Sequence, residues 1–370
     1  MKIVCIGPTA PYKGGISHYN TLLCQSLSKY HDLELISWKR RYPAFLYPAE
    51  QFDKASKKKI SSDAKFILDC LNPFTWCKAC KIIKKKKADL LIFHWVTPFL
   101  FPIFYFISII VKTFLKTKIL LICHNVLPHE RGFLDKYIAM VFFSTVDYFI
   151  VHSKEDLSNL QRIKSKAKVK LGFANFDIFN DGKYNTKKTK KKLNLNKNVI
   201  LFFGFVRKYK GLDYLLKAMP EILDSIDLQL LVVGEFWEDK SYYVDLINQL
   251  NIKNNIKLVD NYVPNEEVGK YFLVSDVVVL PYVSATQSGI IQISFSFNKP
   301  VISTRVGGLG DVVLEGKTGY LVEPKNPSAI AKAVIKFYKN IDKVDFSKWV
   351  EKEKKKFSWD RYIYLIEDFL

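Results

Sequence analysis

The feature that most constrains this chain is an alternation of strand-like and helical segments that runs twice. Short β-rich runs, "KIVCIG", "LELISW", "ADLLIFHW", "KILLICHN" and "DYFIVHS", recur through the first half with longer helical stretches between them. From Asn175 to Asn198 the pattern dissolves into "NFDIFNDGKYNTKKTKKKLNLNKN" and then restarts with "NVILFFGFV", "LQLLVVG", "IKLVDNYV", "DVVVLPYV" and "PVISTRV". Strands that alternate with helices pair in parallel through right-handed crossovers. Open sheets of that kind bind ligands at the carboxyl ends of their strands, so useful side chains belong in the loops just after them.

A length of 370 residues exceeds what one hydrophobic core usually serves. The two runs of alternation therefore predict two Rossmann-like α/β domains facing across a cleft. Residues 1–174 form the first, 175–198 a linker and 199–356 the second. The end, "FSWDRYIYLIEDFL" over 357–370, reads as an amphipathic helix with Trp359, Tyr362, Ile366 and Phe369 near one face. No period short enough for a solenoid is present.

A hydrophobic content of 49% excludes a disordered chain, and Lys+Arg 57 against Asp+Glu 36 leaves a net charge of +21. Such a surface attracts anions: nucleic acid, anionic lipid headgroups or phosphorylated small molecules. No helix-turn-helix, zinc-finger or aromatic RNA-binding signature accompanies the charge. The start, "MKIVCIGPTAPYKGG", lacks the apolar core of a signal peptide, which predicts a cytoplasmic protein. Six scattered cysteines fit reduced thiols, and the Cys77/Cys80 pair lacks the further ligands of a zinc site. "TPFLFPIFYFISIIV", Thr97 to Val111, is too short to span a bilayer. It reads as a buried helix, or as one that also touches a membrane surface through Lys112, Lys116 and Lys118.

Several strand-end loops carry chemistry. Gly14 and Gly15 stand between the first strand and a helix, an arrangement that admits an oxygen-rich ligand to helix N-terminal amides or simply makes a turn. His124, with Asn125 beside it, ends a strand apolar enough to be central, where an imidazole can exchange a proton or serve as a structural group. His94, His129 and His152 share that ambiguity. In "FFGFVRKYKGLDYLLKA" a strand ends at Gly204 and is followed by Arg207 and Lys210, a fork and a point charge suited to a diphosphate. In "PYVSATQSGII" the loop Thr286, Gln287, Ser288, Gly289, Ile290 opens a helix whose amides are either capped or left for phosphate oxygens. "TRVGGLGDVV" adds a third flexible loop. No Asp-x-Asp site for a divalent ion stands out, so cationic side chains and helix amides would have to neutralise the phosphates.

On these residues the chain resembles the GT-B-fold glycosyltransferases of the large retaining family 4, which include many bacterial polysaccharide and lipopolysaccharide enzymes. The likeness covers essentially the whole chain and is strongest from Val199 to Pro324, through "FFGFVRKYKGLDYLLKA", "LLVVGE", "SDVVVLPYVSATQSGII", "KPVISTRVGGLGDVV" and "GKTGYLVEP". "GGISHYN" and "CHNVLPHE" look like the family's acceptor-side loops. The resemblance implies a nucleotide-sugar donor held by the second domain and a glycan or polyprenyl-diphosphate acceptor held mainly by the first. It also implies transfer with retained configuration and no metal or other cofactor, and a terminal helix that crosses back to the first domain.

By the same likeness Arg207 and Lys210 meet the departing diphosphate, and His124 lies near the transferred sugar. Gly15 and Gly204 approach the phosphates, Thr286 to Ile290 hold phosphate and ribose, and Gly14, His18 and Asn125 face the acceptor. Two departures stand out. Phe205 occupies the position five before the lysine where many members carry arginine. Thr286 and Ser294 stand where a pair of glutamates eight positions apart is usual. A glycosyltransferase-like scaffold without activity and a basic nucleic-acid-binding protein are the rival readings. A peripheral position on an anionic membrane, through Lys81 to Lys87 and Lys112 to Lys118, fits the lysine excess.

Overall fold

A computed structural model of the chain describes residues 1–43, 51–56, 63–127 and 134–370. Within these the chain divides into two compact units. One comprises Met1–Lys54, Lys59–Ala174 and Trp359–Leu370, the other Ala55–Lys58 and Asn175–Ser358.

The first unit is built on β1 (Lys2–Ile6), β2 (Asp32–Arg40), β3 (Lys65–Asp69), β4 (Leu90–Trp95), β5 (Lys118–Cys123), β6 (Tyr148–Val151) and β7 (Lys168–Leu171). They lie in the order β3-β2-β1-β4-β5-β6-β7, every pair parallel. The central strands are apolar on both faces: all of β4 and β6 and all of β5 beyond Lys118 are buried, as a parallel sheet covered by helices requires. The apolar run after Thr97 becomes the helix Phe101–Phe114, which buries Ile103, Phe104, Ile107 and Val111 against the sheet. No helix among the described residues is long and apolar enough to cross a membrane.

The second unit carries β8 (Asn198–Phe203), β9 (Leu228–Val233), β10 (Ile256–Val259), β11 (Val277–Leu280), β12 (Val301–Thr304) and β13 (Gly319–Val322). These pair in parallel in the order β10-β9-β8-β11-β12-β13. The order reverses between β8 and β11, and such a switch point opens a crevice at the strand ends. Both units are thus open parallel sheets of the Rossmann-like type.

Residues 175–198, whose composition suggests a connection, carry real structure. Phe176, Phe179 and Leu195 are buried, Asn185 caps the helix Thr186–Lys192 through the Lys188 amide, and Tyr184 donates to the Glu266 carbonyl at 2.7 Å. A few apolar anchors suffice to dock an otherwise lysine-rich segment.

The helix Trp359–Glu367 belongs to the first unit. It buries Tyr362, Ile363 and Ile366; Glu367 lies 3.1 Å from His31, whose pKa burial lowers, and Asp368 forms an ion pair with Lys170 (2.6 Å). Phe369 lies beyond the helix and stacks on Tyr148, ring centroids 4.9 Å apart.

Candidate functional site

In the second unit the loops at the β8–β11 switch point are tied together by backbone. The Val283 amide donates to the Tyr209 carbonyl (2.7 Å), the Gly308 amide to the Thr286 carbonyl (2.8 Å), and the Thr304 hydroxyl to the Tyr282 carbonyl (2.7 Å). Glycines at positive φ make these approaches possible. A side chain on Gly211 would strike the Pro281 carbonyl, and one on Gly307 the Ala285 carbonyl.

Within this frame Lys210 ends a short 3₁₀ turn, Lys208–Lys210, and is only 8% exposed. Its ammonium lies over Gly204, beside Ile290 of the helix Gly289–Ser296 and 5.6 Å from the Tyr282 ring. No carboxylate pairs with it among the described residues. Burial, and secondarily the Arg207 charge, pull its pKa down to about 8. A buried cation with no counter-ion is costly unless a ligand supplies one.

Arg207 is exposed, its guanidinium 5.5 Å from the Tyr209 ring and 5.3 Å from the Trp237 ring. Ser288 caps the helix Gly289–Ser296 by accepting from the Ile290 amide at 3.3 Å, and its hydroxyl lies 3.3 Å from the Tyr282 hydroxyl. Thr286, Gln287, Gly289 and Ile290 are half-buried around it. Gly204, Arg207, Lys210 and the 286–290 loop are therefore brought to one edge of one sheet. Ser294 departs from that edge: it is fully buried and its hydroxyl donates to the Lys299 carbonyl at 2.9 Å.

The first unit gathers residues that lie far apart in sequence. His94 on β4, His124 after β5 and His152 after β6 surround the Tyr19 ring at centroid distances of 6.0, 5.1 and 5.4 Å. His94 Nδ1 and His124 Nε2 share a hydrogen bond of 3.0 Å, and His152 Nδ1 donates to the Gly172 carbonyl at 2.6 Å. Burial depresses all three, His94 to about 3, His152 to about 4 and His124 well below the ordinary imidazole range, so the cluster is neutral at physiological pH. His124 is 3% exposed, and its Nδ1 has no hydrogen-bond partner among the described residues.

The loop after His124 is held from below. Asp156 accepts from the Val126 amide (2.9 Å) and from the Ser153 hydroxyl (3.0 Å), and burial raises its carboxyl to about 6. Asn125 is half-buried in this loop, while His129 lies outside the described residues. At the N-terminal turn of the helix Gly15–Leu27, side chains built on Gly14 or Gly15 would meet nothing within 4 Å, so both glycines border open space. His18, one turn on, is partly buried, and burial lowers its pKa to about 4 against the pull of Asp53. Tyr19 stands at helical spacing from Ile16, and spacing alone cannot distinguish a core tyrosine from one that organises three imidazoles.

The sequence family described as glycosyl transferases group 1 matches residues 183–356. An uncharacterized glycosyltransferase of Methanocaldococcus jannaschii is 31% identical over 136 residues, 37% of this chain and 34% of that protein. The D-inositol 3-phosphate glycosyltransferase of Corynebacterium diphtheriae is 28% identical over 202 residues, 51% of this chain and 47% of that one. These matches span well under two thirds of either relative. Among solved structures, Anabaena HepE in complex with UDP superposes with a TM-score of 0.75 at 17% identity, covering 100% of this chain and 99% of that one. The sucrose-phosphate synthase of Thermosynechococcus elongatus gives 0.73 at 17%, covering 99% and 97%. Residues 183–356 thus match glycosyl transferases group 1, and both units of the chain are folded as in the GT-B glycosyltransferases.

Proposed function

We propose that the chain moves a sugar from a nucleotide-sugar donor to a glycan or lipid-linked acceptor in cell-surface polysaccharide synthesis, with retained anomeric configuration and without a metal. The observation that carries this reading is the Lys210 ammonium, buried over Gly204 and beside the first turn of the helix Gly289–Ser296 without a counter-ion among the described residues. A diphosphate supplies the missing charge. The match of residues 183–356 to glycosyl transferases group 1 supports the reaction class. HepE, which shares the fold, has been crystallised with UDP and with UDP-glucose, and that supports the donor class.

As the bond between the anomeric carbon and the diphosphate breaks, negative charge grows on the leaving oxygen. Lys210 and Arg207 stand ready for it, and preorganised charge of this kind is the largest contribution a site can make. His124, neutral because it is buried, serves as a hydrogen-bonding group toward the sugar and not as a proton donor. Gly14, Gly15, His18 and Asn125 give the acceptor an open approach in the first unit.

The acceptor's lipid would lie on an anionic membrane. The helices Phe101–Phe114 and Asp135–Ser144 support this, because they leave Ile109, Phe114, Tyr137, Met140 and Val141 exposed, with Lys112, Lys116 and Lys136 among them.

Thermal-shift screening against UDP-, GDP- and ADP-sugars tests the proposal, since a ligand that binds only the folded state raises its melting temperature. One class of donor is expected to stabilise the protein and to be consumed when an acceptor is added. No shift with any nucleotide sugar overturns the reading. One observation favours a second reading. Ser294, at a position where the resemblance has a carboxylate, is committed to the Lys299 carbonyl. A binding protein without transfer would show donor stabilisation and no turnover.

A further inference from the structure

Two buried imidazole nitrogens of the first unit, His124 Nδ1 and His152 Nε2, have no hydrogen-bond partner among the described residues. A neutral imidazole carries one N–H, so the partner of one ring nitrogen decides whether the other is a donor or an acceptor. A single bond settles His152. The Gly172 carbonyl, 2.6 Å from Nδ1, can only accept, so the proton is on Nδ1 and Nε2 keeps its lone pair.

A chain of four side chains settles His124. The Asn20 amide donates through Nδ2 to the Pro8 carbonyl (3.1 Å), which turns Oδ1 toward two thiols that donate to it, Cys5 at 3.1 Å and Cys24 at 3.4 Å. With its proton on Asn20, the Cys5 sulfur offers only lone pairs to His94 Nε2, 3.7 Å away, so His94 donates there. Its Nδ1 is then bare and accepts from His124 Nε2 at 3.0 Å. The two rings meet edge to edge, with 5.3 Å between centroids and 16° between planes, as an in-plane N–H···N bond requires. His124 therefore carries its proton on Nε2 and a lone pair on Nδ1.

Packing keeps these bonds in register. Cys5, Asn20 and His94 are fully buried, and a side chain on Gly7 would come within 2.7 Å of both Asn20 Nδ2 and His94 Cδ2, so glycine lets amide and imidazole close on the end of β1. The Tyr19 ring stands at 88° to His124 and 77° to His94, and such close packing opposes a flip of either imidazole.

A buried lone pair without a donor calls for a ligand or a water that brings one. We infer that Cys5, Asn20 and His94 are positioning residues: they hold His124 with Nδ1 unprotonated, so that it accepts a hydrogen bond from a hydroxyl or amide N–H of the transferred sugar and opposes a carboxylate there. The inference rests on the donor reading above, which brings the sugar to His124. It gives that sugar a chemical class, a neutral hexose or acetamido sugar and not a hexuronate. A hydroxyl or N–H donates to the lone pair, whereas a carboxylate has only lone pairs of its own and a neutral imidazole offers it no charge.

Nitrogen NMR of the full chain labelled at histidine tests this, because protonated and bare ring nitrogens resonate apart. The parent should show His124 protonated on Nε2 and bare on Nδ1. Cys5→Ser keeps a donor and an acceptor at that position and should keep this form. Cys5→Ala removes the acceptor of the His94 proton, so His94 should take its Nδ1–H form and His124 should follow, with Nδ1 becoming protonated. Kinetics with the nucleotide hexose and the nucleotide hexuronate of the preferred base give the second readout. The parent should favour the hexose by at least about tenfold in kcat/KM. Cys5→Ala should lose roughly 5- to 100-fold on the hexose, the range for a buried polar group facing the wrong partner, and Cys5→Ser should stay within about threefold of the parent. A His124 proton on Nδ1 in the parent overturns the inference and leaves the donor reading standing. Equal use of hexose and hexuronate does the same, as does a His124 tautomer that Cys5→Ala leaves unchanged. If the parent binds no nucleotide sugar, the donor reading fails and takes this inference with it. The parent's spectrum and its choice between the two donors decide the matter even if Cys5→Ala does not fold.

Discussion

The Lys210 ammonium fills the space that a side chain on Gly204 would need: a Cβ built there comes within 2.7 Å of Nζ. Gly204 also holds φ at +100°, a conformation that side-chain-bearing residues rarely adopt. Gly204→Ala is therefore expected to cost at least about 1 kcal/mol of stability through the backbone alone. It should also push the ammonium off its position and lower nucleoside diphosphate affinity by at least about tenfold. Chemical denaturation and calorimetry measure the two effects separately. An alanine variant with parental affinity would show that the ammonium's position over Gly204 is immaterial to binding.

A buried cation that no carboxylate pairs with among the described residues predicts an opposition between stability and binding. The depression of Lys210 from 10.5 to about 8 corresponds to about 3 kcal/mol against the charged form. Because the folded pKa lies below the unfolded one, the penalty is full below pH 8 and is relieved as the pH rises from about 8 toward 10.5. Lys210→Met should accordingly stabilise the ligand-free protein by up to about 3 kcal/mol near pH 7 and abolish diphosphate binding. Denaturation at pH 7 and pH 10 checks the sign: the gap between variant and parent should narrow at the higher pH.

Arg207 presents a different case, because an exposed guanidinium near two aromatic rings owes the fold little. Arg207→Ala should leave stability within about 0.5 kcal/mol of the parent. Turnover with the preferred donor should fall by about 10²- to 10³-fold, the usual loss when one preorganised contact to developing charge is removed. Steady-state kinetics decide the matter, and a rate within a few-fold of the parent would remove Arg207 from the site.

The fold was legible because periodicity survives in a single sequence. Runs such as Leu90–Trp95 and Asn198–Phe203, apolar and bounded by turns, could only be buried parallel strands once helices alternated with them. The positions of Arg207, Lys210 and Ser288 at strand ends followed from the same pattern, and the structure brings them to one edge. Two things escaped. The gathering of His94, His124 and His152 around Tyr19 depends on strand order, which spacing along the chain does not encode. The packing of Phe205 against Trp237 and Tyr262 escaped for the same reason: each residue alone looks like ordinary loop hydrophobicity, and only the adjacency of β8, β9 and β10 assembles them.

The exposed apolar positions of the helices Phe101–Phe114 and Asp135–Ser144 lead to a membrane prediction. Phe114 is 72% exposed, with Lys112 and Lys116 on either side of it. The parent should float with vesicles containing anionic lipid and less well with neutral ones, since each lysine near the surface contributes about 1 kcal/mol. Phe114→Ser combined with Met140→Ser should reduce flotation by about tenfold while leaving turnover on a soluble acceptor unchanged. Equal flotation of parent and double variant would exclude this face as the contact.

The terminal helix makes the last prediction. Tyr362 is buried with its ring against Gly172, where an added Cβ would come within 2.7 Å of Cε2, and its ring lies 5.9 Å from that of Tyr19 and 5.8 Å from that of Trp359. Tyr362→Ala removes a large ring from a packed site and should cost about 3 to 5 kcal/mol, whereas Tyr362→Phe, which keeps the ring, should cost about 1 kcal/mol or less. Hydrogen exchange in the alanine variant should rise first in Trp359–Leu370 and in the helix Gly15–Leu27, because those two elements lose the shared contact. Since Tyr19 also touches His94, His124 and His152, the same variant should loosen the imidazole cluster, which is measurable as a shift of the His124 ring resonances. Unchanged exchange in the helix Gly15–Leu27 would show that the terminal segment holds on through polar contacts such as Lys170–Asp368 and not through Tyr362.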